Sequence, residues 1–109
     1  MNFTECKTDL DFVRYFYEKF AAIDKYDWCT YVYQDSEGRR CVLGHCGARN
    51  IHVTPEARVL NKLSWKYLNL SIDHINDGSS EIYNDAVFKL KHPQERILAA
   101  LTLIIDKLQ

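Results

Sequence analysis

The chain has 109 residues and a mass of 12.8 kDa, which predicts one domain with a single modest core. Hydrophobic residues make up 47% of the sequence and charged residues 27%, which excludes a disordered, highly charged tail. The 14 Lys and Arg against 15 Asp and Glu give no basic excess for nucleic acid. No apolar run could cross a bilayer, and the first residues lack a secretory signal. We therefore expect a cytosolic protein whose partner is neither nucleic acid nor a membrane.

Residues 8–24 have the pattern of an amphipathic helix. Thr8 and Asp11 stand in the positions of an N-cap and its capping-box partner. Apolar side chains follow at spacings of three and four, at Leu10, Val13, Phe16 or Tyr17, Phe20 and Ile23. This stripe predicts a helix that faces the core.

The next segment, 28–33, is rich in aromatic and β-branched residues and predicts a strand. The polar stretch after it begins at Asp35 and ends at Gly38, which is typical of a hairpin loop. Residues 39–43 would be the returning strand. We therefore predict a β-hairpin over 28–43, packed on helices because a hairpin alone is marginal in water.

Two further helices have clear starts. A Thr-Pro-Glu sequence at 54–56 predicts a helix over 55–69, and His92-Pro93 opens a helix over 93–108. The last helix has a wide apolar face, which fits either the core or a contact within a homodimer.

Three shorter stretches are less regular. Gly44 and Gly47 permit a tight backbone path, so 42–49 is either a short helix or a compact loop. Asn-Asp-Gly at 76–78 predicts a turn or a helix cap. Residues 82–90 are either a short helix or an irregular packed segment.

The four cysteines are expected to be free thiols in the cytosol, and thiols are possible ligands of a metal site. A zinc site would draw on Cys29, Cys41, His45 and Cys46. The spacing disfavours it, because the chain has no Cys-x-x-Cys pair and Cys46 directly follows His45. We expect buried thiols and neither metal nor cofactor.

A thiol nucleophile gives the alternative function, a small cysteine-dependent hydrolase or transferase. Its nucleophile would be Cys41 or Cys46. The candidate bases are His45, His52 and His74, and the residues that could orient them are Asp73, Asn76 and Asp77. No nucleophile signature accompanies these residue types.

A binding site near the predicted hairpin is the leading hypothesis. Glycine amides, arginine forks and flat aromatic faces are what a small anionic, nucleotide-like ligand requires. Arg49, Gly47 and Tyr33 belong to the same region. The residues expected to form the contact are Trp28, Tyr31, Arg39, Arg40, Gly44 and His45.

These residues also form a longer pattern. Trp28-Cys29, Gly38-Arg39-x-Cys41-x-x-Gly44, Asn76-Asp77 and a closing Pro93-Gln94-Glu95-Arg96-Ile97-Leu98 helix occur in this order. The pattern resembles that of a group of uncharacterised small bacterial and bacteriophage proteins. Members of that group carry small apolar residues after the second glycine, where this chain has His45-Cys46. The resemblance implies a recurring compact domain and a phage or mobile-element origin, and it supplies no activity.

Together these observations predict an α+β fold: a mainly helical single domain, 1–109, with one β-hairpin packed on three to five helices. The predicted function is a non-enzymatic cytosolic protein that binds or sequesters a small anionic ligand or inhibits a protein partner.

Overall fold

The computed structural model describes residues 1–49, 52–78 and 87–109. Their α-helices are α1 (Asp9–Ala21), α2 (Val42–His45), α3 (Pro55–Leu68), α4 (Ile72–Asp77) and α5 (Pro93–Leu108). Short 3₁₀ turns precede and follow α1, at Phe3–Glu5 and Lys25–Asp27. Within the described ranges, none of the helices has the length and apolar character needed to span a membrane.

The three long helices begin at the predicted caps. Thr8 Oγ1 accepts a hydrogen bond from the Asp11 amide at 3.1 Å, and Thr54 Oγ1 accepts one from the Ala57 amide at 3.2 Å. His92 caps α5 through its ring Nδ1. These side chains satisfy amides that a helix N-terminus leaves unpaired. The predicted helices are confirmed, although α1 ends at Ala21 rather than at residue 24.

The core lies between α1, α4 and α5, with α3 across one side. Its largest fully buried side chains include Phe16, Phe20, Leu60, Ile72, Ile97, Leu101 and Ile104. The apolar face of α5 therefore contributes to the core of the domain, and a contact of this helix within a homodimer stays a prediction.

The predicted β-hairpin over 28–43 is wrong, and so is the α+β class. The structure is mainly helical, and residues 1–49, 52–78 and 87–109 contain no β-strand. The segment makes only isolated bridges, with Arg40 paired to Trp28 on one side and to Gln34 on the other. The predicted loop is present as a turn, in which the Gly38 amide donates to the Asp35 carbonyl at 3.1 Å.

The end of α4 explains why the strand does not form. Tyr31 has a left-handed backbone (φ 68), and its amide donates to Asp77 Oδ1 at 2.9 Å. The Cys29 carbonyl accepts from Asn76 Nδ2 at 3.0 Å. In a strand these backbone groups would pair with a neighbouring strand, but here they are hydrogen-bonded to side chains at the end of α4. Local β-propensity is overridden by a tertiary contact.

The structure decides between the alternatives for two of the three less regular stretches and describes part of the third. The helix alternative for 42–49 is confirmed as the single turn α2. The predicted cap at 76–78 is also confirmed, because α4 ends at Asp77 and Gly78 follows with φ 69. Of the segment 82–90, residues 82–86 lie outside the described ranges. Its remainder closes as a turn, in which the Leu90 amide donates to the Val87 carbonyl at 3.2 Å.

Candidate functional site

A groove of about 690 Å³ opens between α1, α2 and the start of α3, and we call it the α2 groove. Its volume falls in the range of small-molecule sites. Three of the residues predicted from the sequence meet there: Arg40, Gly44 and His45. The other lining residues are Phe3, Thr4, Lys19, Cys46, Gly47, Thr54, Pro55 and Glu56.

The backbone of α2 forms one wall of the groove and lies against Tyr33. A Cβ atom at Gly44 would come within 2.2 Å of the Tyr33 carbonyl oxygen, so glycine is needed for this close approach. The Gly44 amide is directed to the Cys41 Sγ at 3.5 Å, and the Gly47 amide donates to the Gly44 carbonyl at 2.9 Å. Both amides therefore already have acceptors within the chain, and the expectation that they bind an anion stays a prediction.

His45 is the last residue of α2, and two contacts fix the position of its ring. Its ring lies 4.6 Å from the ring of Trp28, and its Nε2 lies 3.0 Å from the Asp27 carbonyl oxygen. Because a carbonyl only accepts, this contact assigns the proton to Nε2. Burial lowers the pKa of His45, which favours the neutral ring. His45 therefore presents Nδ1 as an acceptor.

Lys19 and Arg40 both line the groove, and they differ in whether they have a partner. Lys19 forms an ion pair with Glu56 at 3.3 Å, and the Tyr15 hydroxyl donates to the same carboxylate at 2.9 Å. Arg40 is exposed, and the described part of the chain offers it neither an ion pair nor a side-chain hydrogen bond. Arg40 is thus the cation at this groove that is available to a ligand.

The remaining predicted residues lie elsewhere. Trp28 is buried and supports His45 without lining the groove. Arg39 pairs with Asp35 at 2.6 Å within the turn. Tyr31 is 76% exposed and lies beside the end of α4. Of the six predicted residues, therefore, Arg40, Gly44 and His45 line the groove, and the other three do not.

The cysteines do not have the character of nucleophiles. All four are buried, and burial is the main cause that raises the pKa of each thiol, in Cys46 to about 12. The Cys29 thiol donates to the Arg39 carbonyl at 3.2 Å. The candidate base His45 is held by Asp27, and the exposed His74 lies on α4, outside the groove. The described geometry therefore shows no ionised thiol beside His45 or His74, and the alternative of a cysteine-dependent enzyme stays a prediction.

Several groove residues were missed by sequence reasoning. Phe3 lies in an N-terminal turn with no motif, and Lys19 falls on the polar side of the α1 stripe. Glu56 was interpreted only as part of a helix start. No sequence signal joins these positions. Phe3 packs on Phe12 and Tyr15 of α1, and Lys19 meets Glu56 where α1 packs against α3.

The described residues contain no group of three or more His, Cys, Asp or Glu side chains that could hold a metal ion. Comparisons with protein-family models, with curated proteins and with solved structures find no match to this chain.

Proposed function

We propose that the protein is a non-enzymatic binding protein whose α2 groove holds a small anionic ligand with a flat or apolar body. The single observation that carries this proposal is Arg40, an exposed cation without an ion pair among the described residues, beside a groove of about 690 Å³.

The groove offers three kinds of contact. A guanidinium group binds a phosphate or carboxylate through two parallel hydrogen bonds, and Arg40 supplies it. Phe3 and Pro55 supply apolar surface for the body of the ligand. His45 supplies an acceptor, because its Nε2 proton is directed to Asp27. A nucleotide has the matching features: an anionic group, a flat body and hydrogen-bond donors.

Sequestration of this ligand is the mode of action that we propose, because the Cys46 thiol at the groove is buried and burial raises its pKa to about 12. Inhibition of a protein partner, the other version of the sequence-based hypothesis, stays a prediction, and no contact at the groove favours it.

The test is calorimetric titration and thermal shift with nucleoside monophosphates, cyclic nucleotides and inorganic phosphate. A ligand that binds only the folded protein at 100 times its Kd stabilises it by about 2.7 kcal/mol. In a domain of this size that raises Tm by roughly 10 °C. We expect stabilisation by at least one organic anion and a much smaller effect of phosphate alone.

Two matched variants locate the site. Arg40→Ala should weaken binding by roughly 10-fold or more, as expected for lost hydrogen bonds to a charged group. Arg14→Ala removes the same charge from the exposed face of α1, outside the groove, and should leave affinity unchanged. Equal affinity of wild type and Arg40→Ala, or no stabilisation by any anion, would refute the proposal.

A further inference from the structure

A smaller depression of about 300 Å³ adjoins the α2 groove. Arg40, Gly44 and Gly47 line both, so the Arg40 side chain stands at the boundary between the two. We call the smaller one the two-arginine depression, because a second arginine, Arg49, lines it as well. Its other lining residues are Tyr33, Gln34 and Ala48.

The two-arginine depression carries positive charge that no acidic side chain along it offsets. Arg49 is exposed, and like Arg40 it has neither an ion pair nor a side-chain hydrogen bond among the described residues. The described residues that line the depression include no Asp or Glu. The α2 groove differs in this respect, because Glu56 lines it and pairs with Lys19. An anion in the two-arginine depression therefore meets two guanidinium groups that are both available to it.

The backbones of both arginines are fixed by hydrogen bonds within the chain. The Arg40 amide donates to the Asp27 carbonyl at 3.0 Å, and the Arg40 carbonyl accepts from the Cys29 amide at 3.0 Å. Arg49 and His52 exchange two backbone hydrogen bonds, at 3.1 and 2.8 Å. A ligand therefore has to order only the side chains of the two arginines, which lowers the entropic cost of binding.

We propose that the anionic part of the ligand is a chain of two or more phosphoryl groups, as in a nucleoside diphosphate or triphosphate. This inference rests on the function proposed for the α2 groove and names the class of anion. The two-arginine depression has less than half the volume of the α2 groove, so it suits the phosphate chain and the larger groove suits the flat body. The first phosphoryl group then meets Arg40, and the following groups extend towards Arg49. A monophosphate or a carboxylate would use Arg40 alone.

The experiment is calorimetric titration with AMP, ADP and ATP, and with the matching guanosine nucleotides, at one pH and one ionic strength. Hydrogen bonds to a charged group change affinity by roughly 10-fold or more. We therefore expect the diphosphate or triphosphate of one series to bind at least roughly 10-fold more tightly than its monophosphate. Inorganic pyrophosphate should likewise bind more tightly than orthophosphate.

Arg49→Ala shows whether this preference comes from the two-arginine depression. It should weaken binding of the triphosphate by roughly 10-fold or more and leave the affinity for the monophosphate unchanged, because only the longer chain extends to Arg49. Arg49→Lys keeps the charge without the paired hydrogen bonds, so its preference should lie between those of wild type and Arg49→Ala. Arg40→Ala should weaken binding of every nucleotide in the series. Arg14→Ala removes an exposed arginine outside both cavities and should keep the full preference.

Two results would overturn this inference and leave the function proposed for the α2 groove in place. They are nucleotides whose affinity is the same whatever the length of the phosphate chain, and a preference for the triphosphate that persists in Arg49→Ala. In both cases Arg40→Ala would still weaken binding. A protein that binds none of these anions would instead refute the proposed function, and this inference with it.

Discussion

Replacing Arg96 by alanine should cost the domain far more stability than replacing an exposed arginine. Arg96 is only 6% exposed and lies on α5. Its Nε donates to the Ile75 carbonyl at 2.9 Å, its Nη2 to the Asn76 carbonyl at 2.6 Å and its Nη1 to the Leu90 carbonyl at 2.9 Å. Ile75 and Asn76 belong to the last turn of α4, where the Gly78 amide also donates to the Ile75 carbonyl at 3.3 Å.

The magnitude follows from these contacts. Leaving a buried acceptor without its donor costs about 1–3 kcal/mol. Arg96→Ala removes the donors of the Asn76 and Leu90 carbonyls and one of the two donors of the Ile75 carbonyl. Part of this cost is offset, because burial also penalises the guanidinium charge and lowers the pKa of Arg96. A net loss of about 3–5 kcal/mol is therefore expected, out of the roughly 5–15 kcal/mol typical of a domain. In a domain of this size, Tm should fall by roughly 12–20 °C.

The assay is urea unfolding followed by tryptophan fluorescence, with Tm as a second measure. Arg96→Lys keeps the charge and places a single ammonium where the guanidinium reached three carbonyls, so its stability should fall between those of wild type and Arg96→Ala. Arg14→Ala removes an exposed charge and should change stability by less than about 0.5 kcal/mol. A loss below about 1 kcal/mol for Arg96→Ala would show that these contacts do not support α4.

Three further predictions concern the α2 groove. Gly44→Ala should destabilise the fold by about 1–3 kcal/mol in urea unfolding, because the alanine Cβ would meet the Tyr33 carbonyl oxygen. Alanine favours helices over glycine, so a gain in stability would contradict this close approach. The pKa of His45 is lower in the folded chain than its ordinary 6.5, so His45 contributes stability that is present above that value and lost as the pH falls below it. The Tm of His45→Gln, which cannot titrate, should therefore depend less on pH between roughly 7.5 and 5; equal slopes would refute this. Because a pKa of about 12 leaves roughly 3 in 100,000 of the Cys46 thiols ionised at pH 7.5, iodoacetamide should label Cys46 only as fast as the protein unfolds, and rapid labelling without denaturant would contradict its burial.

The sequence predicted the parts of the fold whose causes are local. Thr8, Thr54 and His92 cap helices through amides two or three positions away, so each start could be identified without knowing the rest of the structure. The hairpin failed for the opposite reason. Segment 28–33 has the composition of a strand, but its backbone is bound by Asn76 and Asp77, which lie more than forty positions later in the chain.

The residues of the candidate site also include some whose proximity is local in the sequence and others whose proximity depends on tertiary packing. Arg40, Gly44 and His45 are close in sequence, and a single turn of helix keeps them together at one groove. Lys19 and Glu56 could not be predicted, because their ion pair depends on how α1 meets α3. Periodicity indicates which face of a helix is buried, and it does not indicate which other helix that face will meet.

Several residues of the pattern identified in the sequence have a structural role in this chain. Cys41 caps α2, and Gly44 allows the close approach to Tyr33. Asn76 Oδ1 accepts from the Val42 amide at 3.0 Å, and Arg96 holds the end of α4. These residues of the pattern bind backbone groups or make room for them, so the pattern specifies a fold.

Ligand choice would then depend on the positions that the pattern leaves open. Arg40 stands at the open position between Arg39 and Cys41, and His45 follows Gly44. Both line the α2 groove, and neither satisfies a backbone amide of another helix. Small apolar residues at these two positions should leave the backbone contacts of α2 intact and remove the contacts to an anion. Exchanging Arg40 and His45 for such residues should therefore change what the groove binds far more than it changes Tm.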